Sequence, residues 1–192
     1  MKLVFATHNH NKLREVQALV PDHITLLSLT DIGCTEEIIE DADTIEGNAL
    51  LKANHVLTNY GYDCFADDTG LEVDALDGAP GVYSARYAGE QKDDSDNMNK
   101  LLITLATKQD RGAQFKTVIA FAKANKAETF TGICRGKITK ERHGDGGFGY
   151  DPIFQPEGYD ATFAQMAPSL KGKISHRGLA VSAFLEFLHN QE

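Results

Sequence analysis

The sequence predicts a mixed α/β fold, in which helices cover a sheet that is not built from a strictly repeating strand–helix–strand unit. Two observations lead to this prediction. Short apolar runs, typical of buried strands, alternate with segments whose apolar residues recur at helical spacing. In addition, two segments rich in β-branched and aromatic residues, 115–122 and 128–139, follow each other and indicate neighbouring antiparallel strands.

Three short apolar runs are bounded by polar residues or turn signals and are expected to be strands: 3–6, 24–29 and 64–66. The third run is expected to stop at the acidic pair Asp67-Asp68. Four segments place their apolar residues on one helical face and are expected to be helices: 12–20, 44–60, 97–106 and 179–189. Pro21 closes the first helix, and Gly61 ends the second, because glycine readily adopts the left-handed conformation found there.

The chain has 192 residues, and no internal repeat or linker divides it, so we expect a single domain over residues 1–192. Its 19 basic residues against 28 acidic residues give a net charge of −9. This charge disfavours nucleic acid as a partner, because broad contact with its backbone needs a basic surface. A few lysines gathered in one cleft can still bind a small anion.

Three cysteines, Cys34, Cys64 and Cys134, cannot form a closed set of disulfides and lie too far apart for a CxxC zinc clip. The apolar run near the N-terminus is too short for a signal sequence or a membrane span. We therefore expect a cytoplasmic protein that does not enter a membrane.

Two glycine-containing motifs resemble phosphate-binding loops but lack their structural context. Residues 144–149 satisfy GxGxxG, yet Tyr150-Asp151-Pro152 follows where the dinucleotide fingerprint needs a helix. Residues 132–139 are one residue short of a P-loop and have Ile138 at its Ser/Thr position, so they are predicted to be a strand.

A first candidate site is the polar run 7–12, between the first strand and the first helix. Its hydroxyl, amide and imidazole groups, its lysine and the helix N-terminus suit an anion. An ordinary polar turn that caps the helix explains the same residues equally well.

A second candidate is the segment Asp67-Asp68-Thr69-Gly70. Adjacent carboxylates suit Mg²⁺, and one of them could act as a general base toward a nearby water. A solvated turn is the alternative. The acidic stretch 36–46 is expected to be mostly a solvated face, with one or two functional members.

Two further segments complete the pattern. Residues 146–152 combine flexible glycines with two aromatics, which could stack on a ligand, or form a structural turn. Residues 171–177 gather cations just before the last helix, where the helix dipole prefers anions, and this inconsistency points to an anionic ligand. Together the segments describe a site for a phosphorylated aromatic molecule with a divalent metal, most simply a nucleotide.

The same motifs resemble those of the inosine triphosphate pyrophosphatase family, which acts on non-standard purine nucleoside triphosphates. The resemblance covers nearly the whole chain. The occurrence of all these motifs together, in this order, is highly specific. It rests on 6–12 with Glu15, Asn48-Ala49 with Lys52-Ala53, 67–71, 80–89, 146–154 and 175–178.

The resemblance implies a two-lobed mixed α/β fold with an elongated central sheet and a deep cleft between the lobes, usually in a homodimer. It also implies Mg²⁺-dependent hydrolysis of ITP, dITP and XTP to the nucleoside monophosphate and pyrophosphate. Such hydrolysis clears these nucleotides from the pool, so that they are not incorporated into DNA or RNA.

The resemblance further implies a role for each matched residue. The triphosphate would be bound by Thr7, His8, Asn9, His10, Asn11 and Lys12, with added charge from Lys52 and Lys171. The metal would be held by Asp68 and Glu40, for which Glu37 and Asp41 are the neighbouring alternatives, and Asp68 would accept the proton of the attacking water. Thr69, where the family commonly has serine, would contact the substrate. The base pocket would be lined by Phe148, Gly149, Tyr150 and Asp151, and the purine contacted by His176 and Arg177.

Three other interpretations stay open at this point. A related pyrophosphatase could act on a pyrimidine or modified nucleotide with the same metal chemistry. A nucleotide-binding regulatory protein could have lost catalysis, although Asp68, Lys12 and Lys52 argue against this. An α/β domain without such a site would make every matched loop a coincidence.

Overall fold

Strands and helices alternate in the first part of the chain, whereas later strands and helices also follow one another directly, which fits the prediction of a fold without a strictly repeating unit. The computed structural model describes residues 1–124 and 126–191. The strands in this part of the chain are β1 (Lys2–Phe5), β2 (Thr25–Leu27), β3 (Cys64–Val73), β4 (Pro80–Gly81), β5 (Gly112–Lys123), β6 (Lys126–Ile138) and β7 (Phe154–Pro156). The α-helices are α1 (His10–Gln17), α2 (Ile45–Tyr60), α3 (Asp94–Thr104), α4 (Pro168–Ile174) and α5 (His176–His189).

The strands are hydrogen-bonded in the order β2-β1-β3-β5-β6-β7, with β4 paired to β3. Strand β1 runs parallel to β2 and to the first residues of β3, whereas β4 and β7 run antiparallel to their partners β3 and β6. This combination of parallel and antiparallel pairs confirms the predicted mixed α/β fold.

The described residues fall into two compact units. The first unit comprises 1–68, 117–132 and 177–191, and the second comprises 69–116 and 133–176. The core of the first unit is built on aromatic rings: Phe5 and Phe65 stack at 4.6 Å between centroids, and Phe65 lies 5.0 Å from Phe184. Burial of these rings supplies a large apolar contribution to the stability of the unit.

The second unit has a separate aromatic core. The ring of Phe115 packs edge-on against Phe154 at 4.7 Å, and Phe154 lies 5.1 Å from Phe163. Leu101, from the buried face of α3, belongs to the same cluster. Each unit therefore has a hydrophobic cluster of its own, built around aromatic rings.

Strand β3 is longer than predicted, and the expected stop after residue 66 is wrong. The strand continues through Asp67 and Asp68 to Val73. Both carboxylates are buried, with 1% and 8% of their surface exposed. Acidic residues usually end a buried strand because desolvation of their charge is costly, but here basic side chains neutralise them.

The basic segment 171–177 also differs from the prediction. Residues 168–174 form α4, so Lys171 and Lys173 lie in the last turn of a helix, where the dipole favours cations. The predicted conflict with a helix dipole is therefore absent at these lysines. Helix α5 begins at His176, three residues before the predicted start.

Helix α2 agrees closely with the prediction. The side chain of Thr44 accepts a hydrogen bond from the Gly47 N–H at the N-terminus, and Gly61 ends the helix at a φ of 72°.

The first helix ends at Gln17, three residues earlier than predicted. Residues 132–138 lie within β6, as predicted, and the GxGxxG run is followed by a short 3-10 turn, Asp151–Ile153. No helix in the described part of the chain is long and apolar enough to cross a membrane.

Candidate active site

The loop after β1 is organised by Asn9. Its side chain caps α1 by accepting hydrogen bonds from the N–H groups of Asn11 and Lys12, at 2.9 and 3.1 Å. Thr7 Oγ1 accepts from the Asn9 N–H at 3.1 Å. The cap leaves Lys12 on the first turn of α1, with its side chain directed at Asp67 within strand β3.

Lys12 belongs to a chain of buried ion pairs centred on Asp67. Lys12 Nζ donates to Asp67 Oδ1 at 2.9 Å, and Arg177 Nε donates to Asp67 Oδ2 at 3.0 Å. Arg177 also donates through Nη1 to Glu15 Oε2 at 2.6 Å. One carboxylate on β3 therefore fixes a lysine from α1 and an arginine from α5.

Asp68, the next residue of β3, lies in a second group of charges. Lys52 Nζ donates to Glu40 Oε2 at 2.9 Å and lies 3.6 Å from Asp68 Oδ1. Asn48 Nδ2 donates to Asp68 Oδ2 at 3.4 Å. Asn48 and Lys52 are four residues apart on α2, so both point from one face of the helix toward the same carboxylate.

Burial and charge set the protonation of this group. Burial alone would raise the pKa of Asp67, but Lys12, Arg177 and Lys52 outweigh it and hold that pKa well below its usual range. Burial raises the pKa of Asp68, despite the attraction of Lys52 and Lys12. Burial lowers the pKa of Lys12, whose neighbours include two other cations. Two adjacent aspartates thus differ: Asp67 is a fixed anion, and Asp68 takes up a proton more readily.

The oxygen donors of Glu40 and Asp68 fit a hard divalent cation. Both carboxylates lie within 4 Å of the Lys52 ammonium group, at 2.9 and 3.6 Å, so one positive charge can interact with both. Glu40 is 37% exposed at its side chain and Asp68 only 11%, so solvent reaches one side of the pair. Carboxylate oxygens with room for water are the ligands that Mg²⁺ takes. Glu40, one of the acidic residues that the sequence offers as the second ligand, forms an ion pair with Lys52.

The predicted base-binding segment lies in the second unit and is organised by Asp151. This residue is 3% exposed, and its Oδ2 accepts from Lys171 Nζ at 2.6 Å and from the Phe148 N–H at 2.9 Å. Gly147 has a φ of 72°, and a Cβ there would overlap with the Asp151 carboxylate. The turn at 147–151 is therefore closed tightly around a buried carboxylate.

Three rings near this turn, those of Phe148, Tyr150 and His176, each have a defined contact. Lys171 Nζ lies 5.2 Å from the centre of the Phe148 ring, close enough for a cation–π contact. The hydroxyl of Tyr150 donates to the carbonyl of Ser84 at 2.8 Å, and burial raises the pKa of Tyr150. The imidazole of His176 is 3% exposed and stacks on Phe115 at 4.4 Å. Gly149 N–H donates to Asp94 Oδ2 at 2.7 Å.

The structure groups the predicted residues unevenly. Five predicted residues take part in ion pairs around Asp67 and Asp68 of β3. Asp67 pairs with Lys12 and Arg177, and Lys52 lies between Asp68 and Glu40. His8 lies instead against the carbonyl of Glu36, at 3.1 Å, and Asn11 accepts a hydrogen bond from Arg14. His10 opens α1, and Thr69 follows Asp68 on β3, half-buried.

Sequence reasoning did not assign roles to three residues that organise these groups. From the sequence, Asp67 is one member of an acidic pair, whereas in the structure it is buried and is the partner of two cations. The spacing of Asn48 and Lys52 on α2 was a usable signal for the contact of Asn48 with Asp68. Asp94 carried no local signal, because its partner Gly149 is 55 residues away in sequence.

Known proteins are similar to this chain, in sequence and in structure, over nearly its whole length. A family model for the Ham1 family matches residues 3–187. The chain belongs to the Ham1 family. The Ham1 protein of Staphylococcus aureus superimposes with a TM-score of 0.91 at 38% identity, and the match covers 100% of both chains. A HAM1 protein from Coxiella burnetii gives a TM-score of 0.91 at 37% identity over 99% of both.

Two curated relatives of this Ham1 family member share one name. The "dITP/XTP pyrophosphatase" of Flavobacterium psychrophilum is 60% identical over 190 residues, which is 99% of this chain and 100% of that protein. The "dITP/XTP pyrophosphatase" of Porphyromonas gingivalis is 50% identical over 188 residues, 97% of each chain. These matches confirm the resemblance to the inosine triphosphate pyrophosphatase family.

Proposed function

We propose that this Ham1 family member hydrolyses the non-standard purine nucleotides ITP, dITP and XTP to the nucleoside monophosphate and pyrophosphate, and so clears them from the nucleotide pool. The observation that carries this proposal is the buried carboxylate Asp68, flanked by Lys52 and, through Asp67, by Lys12. Full-length identity to relatives named dITP/XTP pyrophosphatase supports the same activity.

The triphosphate is assigned to the polar loop after β1, from Thr7 to Lys12, together with Lys52, all in the first unit. Lys171, which the resemblance also implies for the triphosphate, belongs to the second unit. Lys12 pairs with Asp67 and Lys52 with Glu40, so both ammonium groups are held in place as donors to phosphate oxygens and neither is a buried, unpaired cation. Phosphoryl-type transfer depends mostly on positioning and on electrostatic stabilisation of this kind.

The metal is assigned to Asp68 and Glu40, and Mg²⁺ is the cation that suits their oxygen donors. When bound, Mg²⁺ would neutralise charge on the phosphate oxygens. Lys52 already holds both carboxylates in place, which favours a site whose ligands are preorganised.

The reaction needs a group that accepts one proton. Water forms a new bond to the α-phosphorus, and the bond from this phosphorus to the bridging oxygen of the β-phosphate breaks, so pyrophosphate leaves with the bonding electrons. The proton of the water passes to Asp68. The raised pKa of Asp68 supports this role, because it brings the carboxylate closer to the range in which it can accept a proton at neutral pH.

The base is assigned to the second unit. Phe148, Gly149, Tyr150 and Asp151 are assigned to its pocket, with Thr69 as a further substrate contact and His176 as the candidate for the purine in this unit. Arg177, which the resemblance also implies as a purine contact, belongs to the first unit. A donor that pairs with the 6-oxo group would be opposed by the 6-amino group of adenine, and such a mismatch discriminates strongly. The ion pair of Arg177 with Asp67 and Glu15 also supports a positioning role for its guanidinium.

Three further features belong to the proposal. The chain acts as a single pyrophosphatase domain over residues 1–192, it forms a homodimer, and it works in the cytoplasm on a small-molecule substrate, without nucleic-acid or membrane partners. Size-exclusion chromatography with light scattering would measure the mass of the assembly.

Phosphorus NMR of ITP incubated with the protein and Mg²⁺ tests the reaction directly. We expect IMP and pyrophosphate, and in ¹⁸O-labelled water the label should enter IMP, because the water attacks the α-phosphorus. IDP plus phosphate, or label in pyrophosphate, would contradict the proposal. Tight binding of ITP without turnover would favour the regulatory protein, and preferential turnover of a pyrimidine nucleotide would favour the related enzyme.

A further inference from the structure

A second group of side chains with metal-binding chemistry lies in the first unit, apart from Asp67 and Asp68. One ligand atom each from Cys34, Glu36 and His55 lies within 4.8 Å of the other two. Cys34 and Glu36 belong to the segment that precedes α2, and His55 lies on α2. A thiol, a carboxylate and an imidazole thus converge although the three are not close enough in sequence to form a recognisable motif.

We propose that Cys34, Glu36 and His55 form a binding site for a borderline-soft divalent cation, with Zn²⁺ as the best match. Zn²⁺ takes sulfur, nitrogen and oxygen ligands in a tetrahedral arrangement, whereas Mg²⁺ avoids thiolates. Tetrahedral zinc bonds place neighbouring ligand atoms roughly 3.3–3.8 Å apart, and the three ligand atoms here lie within 4.8 Å of one another, so small side-chain movements would bring them to these separations.

The backbone positions the thiol firmly. Cys34 follows Gly33, which has a φ of 76° and ends a short 3-10 turn, Thr30–Ile32. The N–H of Cys34 donates to the carbonyl of Leu29 at 2.9 Å. Cys34 is fully buried, while the side chains of His55 and Glu36 are 29% and 47% exposed. A cation can therefore enter from the solvent side and meet the thiol at the base of the site.

The carboxylate is oriented by its neighbours. Glu36 Oε1 lies 3.0 Å from His55 Nε2, and the hydroxyl of Tyr60 donates to both carboxylate oxygens, at 2.8 and 2.9 Å. Hydrogen bonds from its own backbone, from His55 and from Tyr60 lower the pKa of Glu36 to about 2. The carboxylate is thus held as an anion next to the other two ligand groups.

The imidazole has the outer partner that a metal ligand needs. His55 Nδ1 lies 3.2 Å from the side-chain amide of Asn59, one turn later on α2. Rotation of this amide by half a turn would present its oxygen to Nδ1–H and leave Nε2 free of its proton for the cation. On binding, the Cys34 thiol gives up its proton to the buffer, so that a thiolate forms the bond to the metal.

The location suggests a consequence for the loop that carries Glu40. Glu36 lies four residues before Glu40, and the carbonyl of Glu36 contacts the imidazole of His8 at 3.1 Å. A cation bound to Cys34, Glu36 and His55 would tie this loop to α2. The same cation would leave Glu40 and Asp68 available for a hard metal.

Cobalt(II) titration of the whole protein tests the site without using enzyme activity. Under anaerobic, reducing conditions, we expect one equivalent of Co²⁺ to give a thiolate-to-cobalt charge-transfer band, which Zn²⁺ abolishes and excess Mg²⁺ does not. This band requires a cysteine ligand, so binding at Glu40 and Asp68 does not produce it. Absence of the band in folded wild-type protein would overturn the proposal.

Four variants assign the ligands. Cys34→Ser should lose the band, and Glu36→Gln and His55→Gln should weaken Co²⁺ binding at least ~10-fold, the lower bound for loss of a supporting group around a metal. Cys134→Ala, which changes a buried cysteine of the other unit, should keep the band and the affinity. A band that survives in Cys34→Ser or disappears in Cys134→Ala would refute the assignment. If Cys34→Ser does not fold, the Co²⁺ affinity of Glu36→Gln tests the assignment instead, because this variant changes only an exposed carboxylate.

Discussion

Lys52 donates a 2.9 Å hydrogen bond from Nζ to Oε2 of Glu40, and this bond links α2 to the acidic loop that precedes it. Lys52 is 6% exposed, so its ammonium group depends on carboxylates for compensation. Burial alone would lower the pKa of Lys52, but Asp68 and Glu40 raise it above its usual value. Lys52 therefore holds the two proposed metal ligands in their positions.

Replacing this lysine should make the protein depend on Mg²⁺ for stability. Lys52→Met leaves Asp68 without its cation, and we expect a loss of about 3 kcal/mol, the lower end for a broken buried pair because Glu40 is partly exposed. Mg²⁺ should restore more stability to the variant than to the wild type, since it can replace the missing charge. Urea unfolding with and without MgCl₂ measures this difference.

Lys108→Met is the matched control, because Lys108 is exposed. Its stability and Mg²⁺ response should equal those of the wild type. An equal effect of Mg²⁺ on wild type and Lys52→Met would show that Glu40 and Asp68 do not attract the cation.

Asp67 should control the stability of the first unit in acid. A carboxyl whose pKa is lowered on folding contributes stability above the pKa of the unfolded chain, about 3.9, and loses this contribution as the pH falls. The unfolded chain then takes up a proton while folded Asp67 stays ionised. Below a pH of about 4, the wild type should therefore lose about 1.4 kcal/mol more per pH unit than Asp67→Asn.

At neutral pH the wild type should be the more stable of the two proteins. Asp67→Asn leaves Lys12 and Arg177 with a neutral partner in a buried position, and we expect it to be about 3 kcal/mol less stable than the wild type. The difference between the two proteins should shrink as the pH falls from ~5 to ~2.5, over the range where the unfolded carboxyl is protonated. Parallel urea titrations across this range would expose an error, because a constant difference means that Asp67 is not held as an anion.

Asp68 should be needed for turnover and dispensable for folding. Asp68→Asn removes the proposed proton acceptor, so turnover of ITP should fall at least ~10²-fold, the usual scale for a positioned base. Because burial raises the pKa of Asp68, ionisation of this group opposes folding at neutral pH, and the variant should be as stable as the wild type or more so.

Steady-state kinetics and urea unfolding of the same preparation separate these two effects. Asp160→Asn, at an exposed position, serves as the control and should change neither turnover nor stability. Near-native turnover in purified Asp68→Asn would refute its role as the base.

Local sequence patterns predict the elements well where one helix face or one buried run decides the structure. The α2 prediction held because its apolar stripe, its Thr44 cap and Gly61 all agree. The expected stop of β3 after residue 66 failed, since residues distant in sequence supply the cations: Lys12 lies 55 residues from Asp67, and Arg177 lies 110 residues from it.

The same distinction applies to the candidate site. Residue types identify Lys12, Lys52 and Asp68 as groups for an anion and a metal, but they do not tell which carboxylate is a fixed anion and which can accept a proton. That difference arises from burial and from the number of cations around each carboxylate, and only the tertiary structure sets it. The cluster of Cys34, Glu36 and His55 likewise has no local sequence signature, because the fold and not a short motif brings its residues together.

Selection of the base should depend on the ring nitrogens of His176. The wild type should prefer ITP to ATP by at least ~10²-fold in kcat/KM, because a buried donor is left opposed by the 6-amino group of adenine. His176→Phe keeps an aromatic ring to stack on Phe115, which lies 4.4 Å away, and removes both nitrogens. The preference should fall about 10-fold in this variant, the effect of losing one buried hydrogen bond. His143→Phe, at a half-exposed histidine of the same unit, should keep the wild-type preference. Competition kinetics with ITP and ATP in one mixture measure the ratio directly, and equal use of the two nucleotides by the wild type would rule out selection through the 6-oxo group.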